Sequence, residues 1–168
     1  MTETFEEYTA RILGYAKGKD PLRILRSTPG KLAKLTAGAP RRRLTTPPAP
    51  GKWTVGQILG HLSEVEMLWG YRVRVILETD GVELLGMDQD TWAKNSRYET
   101  IDPKLSFDAF HALRAANLEL FGKLSPREIT RHGRHSQFGR LTIRKIQSLM
   151  AGHDINHTRQ IAGILRRH

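Results

Sequence analysis

The sequence predicts an all-α protein, a bundle of four helices, on three observations. Apolar residues recur at helical spacing in four separate stretches. Start and stop signals bracket those stretches. No stretch shows a convincing strand pattern, and there are no internal repeats or low-complexity tracts. A length of 168 residues fits one domain over 1–168, and a chain of that size buries enough apolar surface to fold without staples.

Taken in order, Phe5, Tyr8, Ile12, Leu13 and Tyr15 mark a short amphipathic N-terminal helix, broken at Gly18–Pro21. Asp20 can cap a helix and Pro21 suits its first position, so the first bundle helix is placed at 20–37, with a kink expected at Pro29. Residues 39–52 contain Pro40, Pro47, Pro48, Pro50 and Gly51 and read as an irregular loop. Thr54 with Gln57 three residues on forms a capping box, in which each side chain satisfies an amide the helix leaves open. The stripe Val55, Ile58, Leu62, Val65, Trp69, Val73 and Ile76 then runs to Asp80-Gly81. Residues 81–105 make a long connection whose Met87, Trp92 and Tyr98 suit packing over one end or face of the bundle. The third helix is placed at 106–123 on Phe107, Phe110, Leu113, Leu118 and Phe121. The fourth runs from about Thr142 to the end on Ile143, Ile146, Leu149, Met150, Ile161 and Ile164. Between them, 132–139 reads as a turn region.

The net charge of +10 raises the question of a polyanionic partner. The basic residues are scattered, apart from Arg41–Arg43 and Arg166-Arg167, and no nucleic-acid-binding motif is present. A solvated basic surface is therefore the reading preferred to nucleic acid. Cysteine is absent, which excludes disulfides, thiolate ligands and a cysteine nucleophile. No signal-like or membrane-spanning stretch is seen, so the expected location is cytoplasmic.

The histidines carry the chemistry. On a helical wheel His153 and His157 fall on the centre line of the fourth stripe, with Ile146, Met150 and Ile164. Four residues apart, their rings point the same way, about 6 Å apart along the axis. Neutral imidazole on a dry face must satisfy two nitrogens, and charged imidazole is costly to bury; a shared divalent cation answers both. His61, roughly 60° off the middle of the second helix's stripe, can supply a third nitrogen from a facing helix. Three neutral ligands leave a coordination position open, the pattern of a catalytic or ligand-binding centre.

Around this trio, Glu64 lies one turn beyond His61 and is a candidate acceptor for its ring proton, against the plainer reading of a surface carboxylate. Asn117 sits mid-stripe on the third helix and must find hydrogen bonds, either at the metal cavity or with a neighbouring helix. Asp154 and Asn156 flank the pair but are expected to point away from its face, to cap, to be solvated or to meet the 81–105 connection. Tyr71 and Arg72 are read as a solvated helix face, although Arg72 at a cavity mouth would suit an anion. Trp53 and Trp92 are read as packing residues. His111 is placed at the margin of its stripe, and His132, His135 and His168 are assigned to solvated loops or the chain end, with an approach of His135 to the bundle mouth as the less favoured alternative.

The ordered pieces Pro50-Gly51-Lys52-Trp53-Thr54-Val55, Gln57-Ile58-Leu59-Gly60-His61-Leu62, Asp88-Gln89-Asp90-Thr91-Trp92-Ala93, Phe138-Gly139-Arg140-Leu141-Thr142 and Gly152-His153-Asp154-Ile155-Asn156-His157 resemble the DinB-like (DinB/YfiT) family of metal-binding four-helix bundles. The resemblance spans nearly the whole chain. It implies an up-down-down-up bundle, a homodimer, and a divalent ion, zinc or nickel, on three histidines that carry over to His61, His153 and His157. Some members of that family are transferases or isomerases that use a low-molecular-weight thiol such as bacillithiol, mycothiol or glutathione, others have no assigned activity, and the resemblance selects none of these branches. Three functions are compared: a metal-dependent S-transferase or hydrolase of a small molecule, a non-catalytic metal- or ligand-binding stress protein, and a basic nucleic-acid-binding protein. The first is preferred; the residues assign no catalytic group beyond the metal ligands.

Overall fold

A computed structural model describes residues 3–166; Arg167 and His168 lie outside the described residues. In chain order the helices are α1 (Phe5–Ala16), α2 (Pro21–Thr36), α3 (Arg41–Thr45), α4 (Val55–Glu78), α5 (Gln89–Asn95), α6 (Pro103–Lys123), α7 (Pro126–Ile129) and α8 (Ile143–Arg166). A 3-10 turn, Tyr98–Thr100, follows α5. The bundle is made by α2, α4, α6 and α8.

The caps explain the boundaries. Asp20 accepts from Leu22 N–H with Pro21 at the first position, and Thr54 and Gln57 form the reciprocal capping box. Asp102-Pro103 repeats the Asp20-Pro21 signal, so α6 begins three residues ahead of the expected Ser106. The loop at 39–52 is not wholly irregular: Arg41–Thr45 make one helical turn, before the prolines that forbid its continuation.

Neighbouring positions give the helix directions. Gly60 of α4 lies beside Ser106 of α6, and Gly70 beside Asn117, so these two helices run parallel. Pro21 shares a surface groove with Arg144 and Ser148, and Lys31 shares another with Thr158 and Arg159, so α2 and α8 also run parallel. Ile58 packs in one cluster with Ile161 and Ile164, and Ile76 in the other with Ile143, so α4 opposes α8. The order is up-down-down-up.

Three short strands correct the all-helical reading of the connections. β1 (Val82–Leu84) pairs in parallel with β2 (His132–His135), which pairs antiparallel with β3 (Gly139–Thr142). Each has three or four residues and only one or two inward side chains, too few to print an alternating pattern. The sheet ties the 81–105 connection to the segment before α8, which the sequence treats as unrelated.

Every residue of the predicted α4 stripe is buried. The core divides into two apolar clusters. One is built around Ile12, Leu25, Trp69, Val73, Phe121 and Ile146; the other around Leu32, Ile58, Phe110, Ile161 and Ile164. Buried polar residues occupy the level between them: His61 and Glu66 of α4, Arg114 and Asn117 of α6, and Asp154 and His157 of α8.

Candidate metal centre

His153 and His157 project from successive turns of α8, and His61 faces them from the antiparallel α4. The Nε2 atom of His153 lies 2.9 Å from that of His61 and 3.0 Å from that of His157. The ligand atoms of all three lie within 4.8 Å of one another. His61 and His157 are buried; His153 is partly exposed and, with His61, lines a cavity of about 590 Å³.

The donor set fits a divalent cation. Nε2 of a neutral imidazole carries either one N–H or one in-plane lone pair. That of His153 therefore satisfies one close nitrogen neighbour and not two. Three lone pairs turned towards one ion remove the conflict. Burial pushes His61 down to about 3 and His157 to about 4, and holds His153 well below the ordinary histidine range; repulsion from neighbouring rings adds to this for His61 and His153. All three are thus neutral at physiological pH, as ligands must be. His157 Nδ1 faces Gln160 Oε1 at 2.8 Å; with the proton on Nδ1, its Nε2 lone pair turns to the centre. Trp53 packs its ring against His61 and against Tyr98.

The other sequence candidates are placed as follows. Glu64 accepts from the Tyr98 hydroxyl at 2.9 Å, which ties α4 to the 3-10 turn. Asn117 donates to the carbonyl and the carboxylate of Glu66 and accepts from Arg74, so it joins α6 to α4. His111 is exposed, as is Tyr71. His132 sits beside Asp80 at the start of the central strand β2.

Three expectations are corrected. Asp154 is buried and takes a two-point ion pair at 2.6 and 2.9 Å from Arg114, whose long side chain reaches across the bundle interior from α6. Arg72 is not solvated: β1 and β2 fold over it, and it is 3% exposed. His135 is not a solvated loop residue: it ends β2, is buried, and lines the same cavity as His61 and His153. Asn156 accepts from Arg11 of α1 at 2.8 Å. Arg114 was missed altogether. Its signal is the register 110–114–117–121, which sets it at the centre of the α6 stripe.

Known proteins are similar to this chain. A protein of Geobacillus kaustophilus is 28% identical over 146 residues, covering 85% of this chain and 81% of its own. Another, of Oceanobacillus iheyensis, is 26% identical over 125 residues, covering 74% and 72%. YfiT of Bacillus subtilis is 24% identical over 147 residues, covering 87% and 83%. All three bear the name "Putative metal-dependent hydrolase". The solved structure of YfiT, described as an unusual four-helix bundle topology, superposes with a TM-score of 0.80 at 24% identity over 88% of this chain and 85% of its own, which establishes the shared fold. With the DinB superfamily model matching residues 24–161, the span that contains the whole bundle from early α2 to late α8 and all three histidines, the chain belongs to the DinB superfamily.

Proposed function

We propose that this protein is a metal-dependent hydrolase of a small molecule, with the ion held by His61, His153 and His157. The observation that carries the reading is the convergence of three neutral imidazoles, two of which, His61 and His153, line a solvent-reachable cavity. A divalent ion held there would supply Lewis-acid chemistry, acidifying a water and polarising a carbonyl. The chain's own residues do the rest. Gln160 holds the His157 proton on Nδ1, away from the centre. Val65, Leu68, Trp69 and Phe138 give the cavity apolar walls that strip water from a small substrate. That the relatives bear the name of metal-dependent hydrolases supports the same reading.

The test begins with metal analysis of protein purified without chelator. One zinc or nickel per chain is expected, lost in His153→Ala. A panel of small esters, amides and thioesters should show turnover that chelation abolishes and metal restores. Thiol transfer, one of the branches the family resemblance leaves open, would use the same three residues. It separates from hydrolysis in this assay, since product would then form only with bacillithiol, mycothiol or glutathione present and would carry the thiol. A chain that binds no ion would overturn both. The homodimer implied by the resemblance is read by sedimentation.

A further inference from the structure

Arg72 and His135 make a polar corner of the cavity that the metal ligands do not use. The Arg72 guanidinium stacks on Trp69, with 4.6 Å to the ring centroid. Its Nη2 donates to Leu85 O at 2.6 Å and lies 3.1 Å from His135 Nε2, while its buried Nε has no partner. Among the described residues it forms no ion pair. Burial pushes its pKa down only to about 10, so a full positive charge remains at neutral pH. A buried, uncompensated charge is costly.

His135 sharpens the point. Its Nδ1 accepts from the backbone N–H groups of Gln137 at 3.2 Å and Phe138 at 3.4 Å. A neutral imidazole carries one N–H, which must then sit on Nε2. That N–H faces the Arg72 Nη2 donor. Moving the proton to Nδ1 only transfers the conflict to the two backbone amides. Two donors meet at 3.1 Å with no acceptor between them, and an anion resting against both resolves the clash.

The charge of the corner selects the anion. It offers one formal positive charge. Asp88 and Asp90 line the same cavity, and so does Glu3, which Arg11 already neutralises. A phosphate dianion would meet one cation and those acids, whereas a carboxylate monoanion matches the single guanidinium. We propose that Arg72 and His135 bind the carboxylate of the substrate. The hydrolase would then act on a small ester, amide or thioester bearing a carboxylate remote from the bond that is cleaved. Water's hydroxyl goes to the acyl carbon and its proton to the leaving group. The proposal rests on the hydrolase reading for the reaction, but the subsite itself stands on the geometry of these two residues.

The experiment is calorimetric titration of butyrate, with butyramide and inorganic phosphate as comparisons. It uses zinc-loaded wild type, chelator-stripped wild type, and the variants Arg72→Met and Arg72→Lys. Butyrate should bind loaded and stripped wild type alike. Binding should weaken at least about tenfold in Arg72→Met, as loss of a charge-assisted contact requires, and less in Arg72→Lys. Butyramide and phosphate should bind more weakly than butyrate. Three results would overturn the subsite: unchanged binding in the Met variant, binding that vanishes on stripping (the carboxylate then sits on the metal), or phosphate binding more tightly than butyrate. Should Arg72→Met fail to fold by circular dichroism, the Lys variant and the butyramide comparison still decide. Because the stripped protein is one arm, a chain that binds no ion would sink the hydrolase reading while leaving the subsite tested.

Discussion

Arg114 makes the hydrogen bond that Pro29 leaves open. Proline has no N–H, so within α2 the carbonyl four residues back, that of Leu25, lacks its helical donor. Arg114 Nη1 reaches from α6 and donates to that carbonyl at 2.9 Å. The same guanidinium pairs with Asp154 of α8 and, at 2.7 Å, with Glu66 of α4. One side chain therefore engages the other three bundle helices, one residue away from His153.

Arg114→Met should consequently be among the most damaging single changes in the bundle. It strands two buried carboxylates and a carbonyl, and breaking a buried pair from one side costs about 3–5 kcal/mol. Urea unfolding should show that loss. The triple variant Arg114→Met, Asp154→Asn, Glu66→Gln removes the stranded charges and should recover part of it. A triple variant weaker than the single one would contradict this account.

Gly152→Ala should loosen α1. The glycine precedes His153, and a Cβ there would fall on the Ile12 carbonyl of α1, a backbone atom that cannot swing aside. Helix α1 lies ahead of the span matched by the family model, yet Phe5 and Tyr8 wall the cavity. The expected result is about 1–3 kcal/mol of destabilisation by overpacking, together with faster amide exchange confined to α1. Uniform exchange across the bundle would argue that α1 docks some other way.

The convergence of the three histidines was legible because helical periodicity is a local property. Two histidines one turn apart on the α8 stripe must share a face wherever that helix packs, and Thr54 with Gln57 fixed where α4 begins. The meeting of Arg72 with His135 was not legible. It depends on β1 crossing to β2, a pairing between segments some fifty residues apart whose strands are too short and polar to announce themselves. Arg114 lies between these cases. Its register was readable, but an arginine at a stripe centre is noticed only when carboxylates on two other helices are known to meet it.

Gln160→Leu should weaken metal binding without unfolding the protein. The residue lies on the exposed side of α8, and its Oε1 holds the His157 ring at 2.8 Å. Losing the orienting partner of a ligating histidine typically costs 10- to 100-fold in affinity, and an exposed partner belongs near the lower end, about tenfold. Competition with a zinc chelator measures the change, and the thermal midpoint of the stripped protein should move little. Unchanged zinc affinity would show that packing against His61 and His153 suffices to aim the ring.

Metal-stripped protein should lose stability as the medium is acidified from about pH 6.5 towards pH 4. In the folded state burial lowers His61 to about 3, His157 to about 4, and His153 well below its ordinary value. In the unfolded chain all three titrate near 6.5. Between those limits the unfolded chain binds more protons than the native one, so stability is full above about 6.5 and falls with falling pH. The slope is at most about 1.4 kcal/mol per pH unit for each histidine. Urea midpoints of stripped wild type and stripped His153→Asn, measured from pH 7.5 to 5, isolate the effect from surface carboxylates common to both. The variant, with one fewer buried imidazole to protonate, should show the shallower dependence. Parallel curves would mean that His153 takes up its proton in the folded state, and that the interior around it is wetter than its packing against His61 and His157 indicates.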